Sequence, residues 1–250
     1  MVSHFNAVMI SITATMLLLL AFAVTNKNAS SLDQDQSTYA ASKLPELKYY
    51  QNYDELKADE KTAVIYPVFT QGAYEWGGIH DYLAGYCDSC LASQIPIQYE
   101  KTYSASGNGF RILEFLGYQV IDDADIDKEP QILDQFDKVV VLHNEFVTKK
   151  EFEAITTHPK VIYLYPNALS SEVTADYSKN TITLKRGPSY PDPSIKNGFD
   201  WKYDNTQFFS DWDCNSWEFY QVSNGYMLNC YPETFLPSDG YKLLKTLKNL

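Results

Sequence analysis

Residues 138–165 read KVVVLHNEFVTKKEFEAITTHPKVIYLY, and the hydrophobic pattern changes period twice within them. Lys138 to His143 (KVVVLH) and Lys160 to Tyr165 (KVIYLY) are short continuous runs of β-branched and aromatic residues, the pattern of strands buried on both faces. Between them Thr148 stands where a helix N-cap is expected, with Lys149, Lys150 and Glu151 in the first turn and Phe152 and Ile155 facing inward. A strand, a helix and a strand at this spacing leave room for one crossover, so the two strands pair in parallel under a covering helix.

The same alternation extends upstream. Lys61 to Thr70 (KTAVIYPVFT) reads as a buried first strand. Ser104-Ala-Ser-Gly-Asn-Gly then introduces a helix with Phe110, Leu113, Phe115 and Leu116 on one face, and Gly117 stops it. Tyr118 to Ile121 follows as a second strand, then an acidic loop, then a short helix around Ile132, Leu133 and Phe136. After Pro166 the pattern changes. Glu172 to Tyr177 and Thr181 to Arg186 flank Ser-Lys-Asn as one hairpin, and Trp217 to Val222 and Tyr226 to Cys230 flank Asn224-Gly225 as another. A C-terminal helix begins near Ser238 or Asp239 and presents Leu243, Leu244 and Leu247. The expected fold is therefore α/β, a doubly wound, mostly parallel sheet with a C-terminal antiparallel annex, and no internal repeat is visible.

The N-terminus carries a different signal. From Ala7 to Val24 there is no charge, and Ala21-Phe22-Ala23 has the small-x-small form of a cleavage site. Residues 1–24 read as a signal peptide or a membrane anchor, the membrane being a partner through residues 5–24 if they are kept. Residues 25–58 read as a polar linker, with an N-x-S sequon at Asn28, and residues 59–250 as one globular α/β domain. Export is the expectation on either reading. A net charge of −12 with no concentrated basic face excludes nucleic acid as a partner.

In an exported chain four cysteines suggest disulfides, and Cys87 with Cys90 and Cys214 with Cys230 is the favoured pairing of three. Cys87-Asp88-Ser89-Cys90 also has the spacing of a redox motif or half a zinc site, although nothing at matching spacing completes a metal set. No metal or cofactor is expected.

Residues 107–169 carry a likeness. The helix, strand and acidic loop of GFRILEFLGYQVIDDADIDKEPQILDQFDKVVVLHNEFVT, with its strand ending in His143-Asn144-Glu145-Phe146, resemble the flavodoxin-type core of class I glutamine-amidotransferase-like, trehalose-utilisation-protein-like and N,N-dimethylformamidase large-subunit-like domains. The resemblance implies a nucleophilic Cys at a turn after a core strand, or an iron site with tyrosine and carboxylate ligands. This chain departs from both. The turn after Tyr165 reads Pro166-Asn167-Ala168, and Phe146 has no hydroxyl to offer a metal.

The candidate site follows from topology. His143, Asn144 and Glu145 sit at the carboxyl end of a central strand, where open sheets bind ligands, and His143 with Glu145 is the candidate acid–base pair. The alternative role for these three is to bond the loop and cap the next helix. His80 and Asp81, with Tyr74, Trp76 and Tyr82, follow the first strand and share its rim. Two further features read more simply as local structure. Ser106-Gly107-Asn108-Gly109 has the form of an anion cradle but reads as a helix cap. Asp122 to Asp134 has carboxylates at calcium-loop spacing but lacks the glycine and terminal Glu, and reads as a solvated loop and helix start. From Phe199 to Tyr231 eleven aromatic residues are mixed with Asp and Asn, either a core or a surface for sugar rings or a protein. The leading expectation is an envelope-exposed, non-enzymatic binding or structural protein whose cleft lies near Phe69, His80, His143 and Glu145, with a glycan or an envelope protein as partner. A hydrolase of amides or glycans is the alternative, and would be favoured by Cys87 or Cys90 as a free thiol facing His143. A third reading is a surface lattice or adhesion component assembling through the aromatic region.

Overall fold

A computed structural model describes residues 53–250. The N-terminal apolar segment, the sequon at Asn28 and most of the polar linker lie outside the described residues. The linker's last residues belong to the domain, since Tyr53–Leu56 forms a 3-10 turn and Leu56 is buried.

The chain runs through β1 (Thr62–Tyr66), α1 (Val68–Ala73), α2 (Ile79–Leu83), β2 (Ala92–Gln94), α3 (Gly107–Phe115), β3 (Gln119–Asp122), α4 (Asp123–Lys128) and β4 (Lys138–Val141). It continues through β5 (Phe146–Thr148), α5 (Lys149–Thr157), β6 (Val161–Tyr163), β7 (Ser171–Asp176), β8 (Thr181–Arg186), β9 (Phe219–Val222), β10 (Gly225–Leu228), α6 (Phe235–Asp239) and α7 (Tyr241–Asn249). Six strands form one sheet in the order β3-β1-β4-β6-β10-β9, parallel except for β9 at the edge. A second sheet, β2-β8-β7-β5, holds the antiparallel hairpin β7–β8.

Period-two alternation distributes the main sheet between two cores. Val64 and Tyr66 of β1 face one core with Phe110 and Leu113 of α3 and Leu244 and Leu247 of α7, whereas Ala63 and Ile65 face the other with Ile126 of α4 and Ile155 of α5. Helices thus cover both faces, as the strand-helix-strand spacing implies. At the start of β4, Lys138 is buried, yet its ammonium donates to the carbonyls of Leu247 and Lys248 at the α7 C-terminus, where a cation is favoured.

Several elements differ from the sequence expectation. The first strand stops at Tyr66, because after Pro67 the residues Val68–Ala73 form a helix buried on every side, which erases the amphipathic period that distinguishes a helix from a strand. The acidic stretch is a helix, α4, started by a capping box between Asp122 and Asp125, with Asp123 and Asp127 buried. The Asn224 hairpin does not join an annex: β10 pairs in parallel with β6 and extends the main sheet. The smaller sheet draws its edge strands β2 and β5 from the first half of the domain, so it is an insertion beside the strand ends.

Candidate functional site

Strands β3, β1 and β4 lie side by side, and the order of connection reverses between β1 and β4, the place where ligands bind open α/β sheets. The loops leaving these strands are tied to one another. The Phe69 amide donates to Asp123 Oδ2 at 2.7 Å, and the Asn144 side-chain amide donates to Asp123 Oδ1 at 2.5 Å. Thr70 Oγ1 accepts from the amides of Glu145 and Phe146, and Ser106 Oγ accepts from the amide of His143 at 2.9 Å. Ser106 holds a left-handed backbone conformation to do so, an uncommon state for a residue with a Cβ. Asn144 also accepts from the Leu142 amide, so both ends of its side chain are used within the loop.

His143 is fully buried. Its Nδ1 lies 2.7 Å from the Ser104 carbonyl, which can only accept, so Nδ1 carries the proton and Nε2 presents a lone pair. Nε2 has no hydrogen-bond partner and faces Glu145 Oε2 at 3.5 Å. Glu145 Oε2 in turn accepts from the Tyr74 hydroxyl at 2.8 Å. Burial depresses His143 to about 4, with the Ser104 carbonyl opposing and His80 adding to the fall. Burial also raises Glu145 to about 7, against the lowering effect of Tyr74, Asn167 and Ser170. Between those values both groups are uncharged. The pair is therefore a neutral imidazole beside a carboxylic acid, not an ion pair.

Aromatic rings surround the imidazole: Tyr74 at 5.9 Å, Phe209 at 5.6 Å and Tyr231 at 5.4 Å between centroids. Outside them, His80 stacks on Tyr74 at 4.0 Å and Trp212 stacks on Tyr103 at 5.7 Å. Desolvation lowers the half-buried His80. The Cys214–Cys230 disulfide, with the Tyr231 amide bonded to the Asp211 carbonyl at 2.8 Å, ties the Trp212 loop to the end of β10. Cys87 and Cys90 form the second disulfide, and among the described residues no cysteine is free. Both bridges fit an oxidising compartment outside the cytoplasm. Among the described residues no helix is long and apolar enough to cross a membrane, and no group of three His, Cys, Asp or Glu side chains is placed to hold a metal.

The fold thus brings His80, His143 and Glu145 together through Tyr74. Asp81 instead accepts from the Gly77 amide and shapes the turn before α2. Asn144 serves as the cross-tie to Asp123. Three further carboxyls are buried with no sign of that burial in the sequence. Glu233 accepts from the amides of Asn108 and Gly109 and from the Tyr165 hydroxyl, so the glycine-rich start of α3 cradles a carboxyl supplied by the chain itself. Asp123 and Glu151 face each other in an enclosed space, where burial raises both. Neither Glu151 oxygen receives a regular hydrogen bond, and a proton shared with Asp123 would satisfy one of them. Compared with known proteins, the chain matches no family model and no curated sequence.

Proposed function

We propose that this chain is an exported, non-enzymatic binding protein on an amidotransferase-like scaffold, and that it holds an envelope glycan over the carboxyl ends of β1 and β4. The observation that carries the reading is the buried, unpartnered Nε2 of His143 inside a ring of aromatic side chains. Glu145 lies at the outer limit of hydrogen-bond reach from that lone pair, and sugar hydroxyls supply closer donors beside C–H faces that pack on aromatic rings. Both cysteines that would have offered a nucleophile are locked in a disulfide, which favours binding over bond cleavage.

A hydrolase acting on an amide or glycan is the second reading, favoured by the Tyr74–Glu145–His143 chain, in which a carboxyl near 7 lies beside an imidazole. One titration separates them. Soluble oligosaccharides released from the native cell envelope are added to the full chain by calorimetry, and the mixture is then analysed by mass spectrometry. Binding that falls about tenfold or more in His143→Phe, with every oligosaccharide recovered intact, is the expected result. Cleaved products would move the assignment to the hydrolase, and heat release identical in both proteins would overturn the strand-end site.

A further inference from the structure

On the loop between β8 and β9 lies a cleft of about 510 Å³, formed by residues 194–207 and separate from the His143 ring. Its floor is Trp201, whose indole packs on Tyr163 of β6 at 5.2 Å and on Phe152 at 6.0 Å. One buried amide organises the wall. Asn197, 4% exposed, donates to the Leu169 carbonyl at 3.2 Å and to Asp204 Oδ2 at 3.1 Å, while its Oδ1 accepts from the amides of Phe199 and Trp201. Asp204 accepts from the Thr206 amide with its other oxygen. Arg186 clamps the same loop through the carbonyls of Asn197 and Gly198 and pairs with Asp200 at 2.8 Å. The aromatic floor and the polar wall are therefore fixed relative to each other before any ligand arrives.

We infer that this cleft is a second binding site, and that its ligand is an uncharged oligosaccharide. The volume is in the range of small-molecule sites, and its lining sets an indole beside Asn197, Asp204, Thr206, Gln207 and Lys196, a mixture of donors and acceptors. A pyranose needs that combination, because its C–H face is apolar while its hydroxyls each donate and accept. Charge gives no excess of either sign: Asp200 is paired with Arg186, which leaves Asp204 and Lys196, one of each sign, in the lining. The inference does not depend on the strand-end site, whose groups take no part in this cleft.

The test uses the full chain labelled with nitrogen-15 and three defined probes, maltotriose, mannotriose and chitotriose. The indole N–H signal of Trp201, assigned by its disappearance in Trp201→Phe, is followed during each titration. At least one trisaccharide is expected to shift that signal with a Kd of about 1 mM. Gln207 is exposed, so Gln207→Ala leaves the fold intact and is expected to weaken the same binding about threefold to tenfold. Silence at about 10 mM of all three sugars, or binding that Gln207→Ala leaves unaltered, would overturn the inference and leave the strand-end reading standing.

Discussion

Glu233 is buried completely and ends three hydrogen bonds, two from the first turn of α3 and one from Tyr165. Burial raises it to about 7, but the two amides and the hydroxyl oppose that rise, so the site favours an acceptor oxygen whichever form is present. Removing the acceptor strands three buried donors. Glu233→Ala is therefore expected to cost about 3 kcal/mol, and Glu233→Gln, which keeps one acceptor oxygen, about 1 kcal/mol. Urea unfolding midpoints measure both, and equal losses would mean that the one acceptor oxygen kept by Gln contributes nothing. Gly109 belongs to the same arrangement, since a Cβ there would overlap the Tyr165 hydroxyl. The sequence Ser106-Gly107-Asn108-Gly109 announces a cradle through its glycines. Its occupant is not legible, because Glu233 is 125 positions away and only the closed fold puts it against that turn.

At the scale of elements, what could be read was what repeats a short period. β4, α5 and β6 appear in KVVVLHNEFVTKKEFEAITTHPKVIYLY because two buried strands and a one-faced helix each leave a distinct pattern, and Thr148 caps α5 as its position implies. α1 was hidden by being buried all round. α4 was hidden by its acidic composition, which looks solvated until Asp123 and Asp127 are found inside. The irregular stretch from Thr206 to Ser216 lacks any such pattern, and a covalent tie takes its place. Cys214–Cys230 closes a loop with a separation of 16 residues, against 3 for Cys87–Cys90. Loop-closure entropy then assigns the longer bridge about 3 kcal/mol and the shorter about 2 kcal/mol. Replacing both cysteines of the long bridge by serine is expected to lower the thermal midpoint further than the same change in the short bridge. It should also free the Trp212 loop, increasing the quenching of tryptophan emission by acrylamide. A larger loss from the Cys87–Cys90 change would show that the α2–β2 loop, not the aromatic wall, depends on covalent closure.

The whole molecule gathers carboxyls whose affinity for a proton is raised by burial, and its stability should report them. Glu145 and Glu233 are each raised to about 7, and the Asp123–Glu151 pair is raised by the same burial. A carboxyl whose folded pKa exceeds its ordinary value near 4.5 binds its proton more tightly when folded. Its contribution is complete below that ordinary value and is lost as pH rises through about 7. His143 runs the other way. Depressed from 6.5 to about 4, it contributes fully above 6.5 and loses that contribution as pH falls through about 4. The windows overlap, and several carboxyls oppose two imidazoles, His143 and the half-buried His80. Each tenfold gain in proton affinity on folding is worth about 1.4 kcal/mol, so the protein should be more stable near pH 5.5 than near pH 8 by about 3 kcal/mol, several degrees in thermal midpoint. This inverts the usual dependence of an acidic protein, whose paired carboxylates lose stability in acid. Glu145→Gln isolates one of these carboxyls: the side chain stays neutral at every pH, so the variant should gain on the wild type as pH rises from about 5.5 to about 8. Melting curves at the two pH values decide it. A wild type that melts higher near pH 8, or a variant whose advantage does not grow with pH, would mean that these carboxyls are ionised in the folded protein.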